Sequence, residues 1–203
     1  MAIIKGTSVV TGESVTIKTS EGGLMATIPY NVVWTAKGYG RQAMATAAVA
    51  ALVVRPTTVA IATLRNNSSD KLLVIERVFA HNLVAVAASE YNLWLCMHPE
   101  GMAAVTNDIT VRNSTNGNPA GGSSTFFDNG ATVTDDGWFI WGNQGSTTTV
   151  TTPGGNLHAE VAGRLIVPPT GGISASVVAI TTSATFTVGF HWFEVPVSEL
   201  YNL

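Results

Sequence analysis

The sequence predicts an all-β fold, a β-sandwich or barrel with an extended N-terminal arm and at most one short helix. Three observations carry that expectation. From residue 57 onward the chain breaks into about seven or eight runs rich in β-branched and aromatic residues, divided by Gly, Pro, Asn and Asp. Nothing helical lies between those runs, which excludes the alternating pattern of a parallel α/β sheet. Dense turn stretches such as 113–124 (NSTNGNPAGGSS) fall where connections are required. No internal repeat of roughly 20–50 residues is visible, so solenoids and propellers drop out.

Residues 1–35 form the arm. It holds short β-type pieces at 8–10, 14–19 and 24–28, with Gly12, Gly22 and Gly23 between them. Each piece is short for an independent sheet. Two readings stay open: a terminus without fixed order, or an arm that pairs with a neighbouring chain. The second explains why apolar Ile3, Ile4, Val9, Val10 and Ile17 stand so near an end, and those five are the candidate partner-binding residues.

Residues 36–56 connect the arm to the sandwich. The run 42–52 is dominated by alanine, the best helix former, and Met44, Ala48, Ala51 and Leu52 would share a helical face. Arg55-Pro56 would end it, because the residue before proline avoids helical angles. Val49, Val53 and Val54 pull towards strand instead. Helix and strand both remain open for 43–54.

The sandwich domain is 57–203. Its strands are read at 57–64 (TTVAIATL), 72–81 (LLVIERVFAH), 92–97, 138–141, 157–167 (LHAEVAGRLIV), 173–180 (ISASVVAI) and 184–195 (ATFTVGFHWFEV). In 72–81, strict alternation sets Leu73, Ile75, Arg77 and Phe79 opposite Leu72, Val74, Glu76 and Val78. The last run is apolar on both faces near its end, as in a strand covered twice.

Composition limits function. Charged residues make up 11% of 203, under half the usual share, and the formal net charge is −3. There is no basic field for nucleic acid, and no apolar run approaches the roughly 20 residues of a membrane helix. A single cysteine, Cys96, excludes an internal disulfide framework and a cysteine-rich zinc site.

The four histidines, His81, His98, His158 and His191, include no His-x-His pair that would place two imidazoles on one strand face. An enzyme reading would place a metal on His158, Glu160 and His191. Gly-x-Ser-x-Gly is absent, and Cys96 lies in an apolar strand that raises its thiol pKa and makes it inert. Asp128, Asp135, Asp136 and Glu100 all fall at turns, where aspartate bonds its own backbone. No catalytic residue, metal or cofactor is therefore expected. Trp138 and Trp141, beside the polar loop 143–152, are the candidate platform for stacking a sugar, with burial in the core as the alternative.

Non-core positions are filled mainly by Thr, Ser, Asn, Gly and Ala, which are cheap to desolvate when copies pack together. The arm 1–30, the strand pair hinged at 167–173 (VPPTGGI) and the closing strand 186–194 give a chain that resembles bacteriophage virion proteins of the decoration (cement) class. That resemblance implies a jelly-roll-like, commonly trimeric protein on the capsid surface of a virion. Its partners would be copies of itself and the major capsid protein, without nucleic acid or membrane, and without catalytic residues. The other function carried forward is a carbohydrate- or receptor-binding module of a phage tail or fibre.

Overall fold

The computed structural model describes residues 4–7, 14–17, 29–84, 86, 89–106, 108–120, 125–130, 132–133, 135–141, 145–147 and 156–200. The fold is two antiparallel sheets packed face to face, with little helix. Among the described residues, strands β1 (Ile4–Thr7) and β2 (Ser14–Ile17) pair with each other alone, Ile4 opposite Ile17. Of the arm residues singled out above, Ile3, Val9 and Val10 lie outside the described residues.

The first sheet runs β10 (Phe139–Ile140), β7 (Ser89–His98), β13 (Gly172–Ala179), β5 (Ala62–Asn66), β9 (Thr125–Asn129), with β11 (Gly145–Thr147) also on β7. The second runs β12 (Asn156–Val167), β6 (Lys71–Val84), β14 (Thr185–Pro196), β3 (Gly40–Met44), β8 (Arg112–Asn113), with β4 (Val49–Ala50) also on β14. Their inner faces meet in one core. The first sheet contributes Leu64, Leu93, Leu95, Ile173 and Val177, and the second Leu73, Ile75, Val78, Leu157 and Val188. Two edge-to-face aromatic pairs cross the interface: Tyr91–Phe186 at 5.0 Å and Phe127–Phe190 at 5.5 Å between centroids.

Four sequence expectations change. The alanine-rich run 43–54, open to helix or strand, is extended, with β3 and β4 both paired to β14. Backbone pairing and burial of Ala43, Ala45 and Ala51 in the core outweigh intrinsic helix propensity here. The helix lies earlier: α1 spans Tyr30–Ala36, inside the stretch read as arm. Tyr30 and Trp34, four apart, share one helix face and stack edge-to-face at 4.9 Å, and Trp34 packs on Phe193 at 5.4 Å. α1 thus covers the outer face of β14, as the doubly apolar strand end required. A single helical turn, α2 (Val197–Leu200), closes the described chain.

The first strand of the domain begins at Ala62, later than expected, while 57–61 is tied to the segment after β9 by an isolated bridge from Val59 to Thr132 and by the N–H groups of Gly130, Val133 and Asp135, which donate to the carbonyls of Ile61, Thr58 and Thr57. Alternation in β6 also breaks. Leu73 and Ile75 face the core, but so do Val78 and Ala80. Glu76 is passed over in both ladders: β14 pairs His191 with Arg77 and Trp192 with Ile75, and β12 goes from Glu160 opposite Arg77 to Leu165 opposite Ile75, looping out four residues. The bulge turns Glu76 and Arg77 to the outer side together. Ala162 and Gly163 take positive φ of 48° and 75° within the matching bulge of β12.

Candidate functional site

The outer face of the first sheet holds the densest group of chemically capable side chains. Alternation along β13, β7 and β5 sends Ile173, Leu95 and Leu64 inward, so Ser174, Cys96, His98 and Thr63 point outward. The strand register places Ser174 between Cys96 on one side and Thr63 on the other. This outer face is not open. Trp138 packs with Ala60 and Cys96 in a small cluster, and Arg55 donates to the carbonyls of Asp136 and Trp138, pinning the segment above the strands. The Met102 thioether fills the space that a Cβ on Gly172 would enter, and the Leu64 carbonyl oxygen lies 3.0 Å from that position, so a side chain there would have to displace the cover.

Four polar groups form a chain beneath that cover. Thr63 Oγ1 and Ser174 Oγ lie 2.9 Å apart, Ser174 Oγ and His98 Nε2 2.7 Å, and His98 Nδ1 and Asp135 Oδ2 2.8 Å. Asp135 Oδ1 accepts the Gly137 N–H at 2.7 Å, a local aspartate turn of the kind its sequence context predicts. Cys96 Sγ is 3.9 Å from His98 Nδ1. Burial works to raise the Asp135 pKa, but the Gly137 N–H and His98 outweigh it and hold the carboxyl below its ordinary value. Burial and then the Asp135 charge push the Cys96 thiol up to about 12. The inertness expected of this cysteine has that origin.

Ser174, His98 and Asp135 stand in the order nucleophile, base and orienting acid. The serine nevertheless cannot meet a substrate in this arrangement. It sits mid-strand between two neighbours, is 0% exposed, and shares its oxygen with Thr63. A serine nucleophile needs a presenting turn and a place for an oxyanion, and neither surrounds Ser174. The arrangement is a positioned polar network joining strand to overlying loop.

The residues proposed from sequence for other sites fare differently. Trp138 is 3% exposed, so it belongs to the cover over Cys96 and offers no face to a sugar. Trp141 packs against the main core, with the Arg164 guanidinium 5.1 Å from its ring centre and Phe139 edge-on at 5.6 Å. With Trp138 buried, the two tryptophans present no joint stacking face, and most of the loop 143–152 lies outside the described residues. His158, Glu160 and His191 do not assemble as a metal trio. Arg77 is opposite both Glu160 and His191 in register and pairs with Glu160 at 2.5 Å. Burial, then the Arg77 cation, lowers the His191 pKa. Ile4 and Ile17 are brought opposite one another in the arm hairpin.

Sequence reasoning missed the network around His98. Its local signal was Cys96-x-His98, two potential ligands at the i, i+2 spacing that shares a strand face. Asp135 and Ser174 are 37 and 76 residues from His98, beyond any local pattern.

No protein-family model matches the chain, and no curated protein matches it. Among solved structures, it is similar to the VP2 subviral particle of infectious bursal disease virus, with 12% identity over 99% of this chain and 48% of that one, at a TM-score of 0.12. It is also similar to the structure of the Gt strain of that virus, with 14% identity over 99% of this chain and 49% of that one, at a TM-score of 0.10. The chain spans about half the length of these capsid-related structures. Likenesses of this size carry no argument about fold or function.

Proposed function

We propose that this chain is a non-enzymatic structural protein of a virion, a homo-oligomeric, trimeric decoration protein on the capsid surface that holds the major capsid protein through its N-terminal arm. The observation that carries the reading is an uncharged apolar end of the sandwich. Stretches 42–54, 78–89 and 173–193 contain no Asp, Glu, Lys or Arg. Strand pairing draws their ends together: Thr185 pairs with Val84 and with Ala50, and Leu52 bridges Val178. The result exposes Val53, Val54, Leu83, Val84 and Ile180, with Val54 and Ile180 both at 66%. Apolar side chains grouped without charge fit a contact between copies, because no ion must be desolvated when the surfaces meet.

The arm supports the same reading. A lone two-stranded hairpin is marginal in water, and β1–β2 forms a sheet of its own. Pairing to a partner would supply the missing stabilisation. Deleting 1–28 is the test, since it spares α1 and its contacts. The expected result is an unchanged unfolding midpoint for the sandwich and loss of attachment to capsids. Attachment retained by the shortened chain would count against the arm's role.

A further inference from the structure

We propose that Cys96, His98 and Asp135 form a binding site for one divalent transition-metal ion of the zinc type, with a fourth coordination position facing the adjacent cavity. One potential ligand atom from each lies within 4.8 Å of the other two. The donor set is a thiol, an imidazole and a carboxylate, the mixture that zinc and cobalt(II) accept and that calcium and magnesium do not. Two of the ligands sit at i, i+2 on one rigid strand, and the third comes from the loop that covers it. Three protein ligands beside an open position is the pattern of a zinc site that keeps a solvent or small ligand in its fourth place.

The surroundings supply what such a site needs beyond its first ligands. Metal-bound imidazoles are commonly oriented by a hydrogen bond from the other ring nitrogen. Here, if His98 ligates through Nδ1, its Nε2–H points at Ser174 Oγ, and the Ser174 hydroxyl passes its own hydrogen to Thr63 Oγ1. The buried Thr63–Ser174 hydroxyl pair can accept that Nε2–H, so it suits ligation through Nδ1. Without metal, the short Nδ1–Asp135 contact holds a proton where the cation would sit. On binding, the imidazole keeps its one hydrogen, carried on Nε2 towards Ser174 Oγ, and the thiol proton is released to solvent. A cavity of about 330 Å³ touches His98 and Asp135 and is otherwise lined by apolar groups such as Met102, Val105 and Val133, which gives both a path in and a dry wall. The bound ion would tie the overlying loop to β7 and stabilise the sandwich.

The test uses the full chain without a histidine tag, first freed of metal with a chelator. Zinc is titrated against a chromophoric competitor, and cobalt(II) is added as a spectroscopic probe. The expected result is one equivalent per chain, an intense sulfur-to-cobalt charge-transfer band, and a rise in unfolding midpoint of roughly 5–10 °C at zinc a hundredfold above Kd. Cys96→Ala should lose the sulfur band and the one-equivalent binding. Asp135→Asn, similar in shape, is the second variant should the first not fold, and should weaken binding while keeping the band. Ser174→Ala, acting through His98, should weaken zinc by about 10- to 100-fold. No saturable binding by the native chain, or binding undiminished in both Cys96→Ala and Asp135→Asn, overturns the proposal. Either result leaves the virion reading as it stands, because that reading rests on a different face.

Discussion

Ser174 and Ser176 offer one chemical change at two positions with opposite expected signs. Both lie on β13, on the same face, two residues apart, and both are fully buried. Ser174 Oγ bonds Thr63 and His98, whereas Ser176 Oγ has no hydrogen-bond partner among the described residues. Ser174→Ala leaves the Thr63 hydroxyl and His98 Nε2 stranded beneath the cover, a loss of about 1–3 kcal/mol. Ser176→Ala removes a buried hydroxyl that gains nothing from its position, so the change should be neutral or stabilising by about 1 kcal/mol. Changes in strand propensity and in the unfolded chain are the same serine-to-alanine step in both and cancel in the comparison. The two variants should therefore differ by about 1–4 kcal/mol, or roughly 2–16 °C in midpoint for a chain of this size. Urea unfolding followed by tryptophan fluorescence, with matching m-values, reads the difference. Equal losses, or a larger loss at Ser176, would refute the argument that the Thr63–Ser174–His98 chain is a specific network.

Two further predictions concern the link from β5 to β6 and the helix lying on the second sheet. Asn66 is fully buried, donates to the carbonyls of Lys71 and Val167 at 2.8 and 3.3 Å, and accepts the Ser68 N–H at 3.0 Å. Asn66→Ala should cost about 2–4 kcal/mol in urea unfolding, and a loss below about 0.5 kcal/mol would show that these bonds are replaced by water. The Tyr30 hydroxyl donates to Glu76 at 2.6 Å, and burial together with that carboxylate pushes its pKa up to about 12. Because the folded value lies above the ordinary one of 10.0, this contribution is complete below about pH 10 and is lost as the pH rises towards 12. The alkaline fall in stability should shrink in Tyr30→Phe, and an unchanged profile would remove Tyr30 from the account.

Much of the sandwich was legible because its strands carry their own punctuation. β12, β13 and β14 stand between turn-rich segments, and β14 announces its two covered faces through Phe190 and Trp192 on one side and Phe193 and Val195 on the other. α1 was illegible for the converse reason. Val32, Val33, Trp34 and Thr35 favour strand, Pro29 supplies no capping side chain, and the helix is held by Trp34 against Phe193. β9 hides in five residues beside Gly130, and only its pairing with β5 makes it a strand. The face switch in β6 comes from a bulge shared by three strands, which no single run encodes. The site follows the same rule. Cys96 and His98 could be read as a pair on one face, but the loop carrying Asp135 and the strand carrying Ser174 arrive only through folding.

Association of identical copies is the central claim, and native mass in solution tests it most directly. Light scattering coupled to size exclusion should give three times 21.2 kDa. Val54→Lys and Ile180→Lys, placing charge in the exposed apolar end, should shift that mass towards the monomer while leaving the fold intact. A native chain that runs as a monomer at every concentration would contradict the account, because the uncharged end would then have no second copy to cover it.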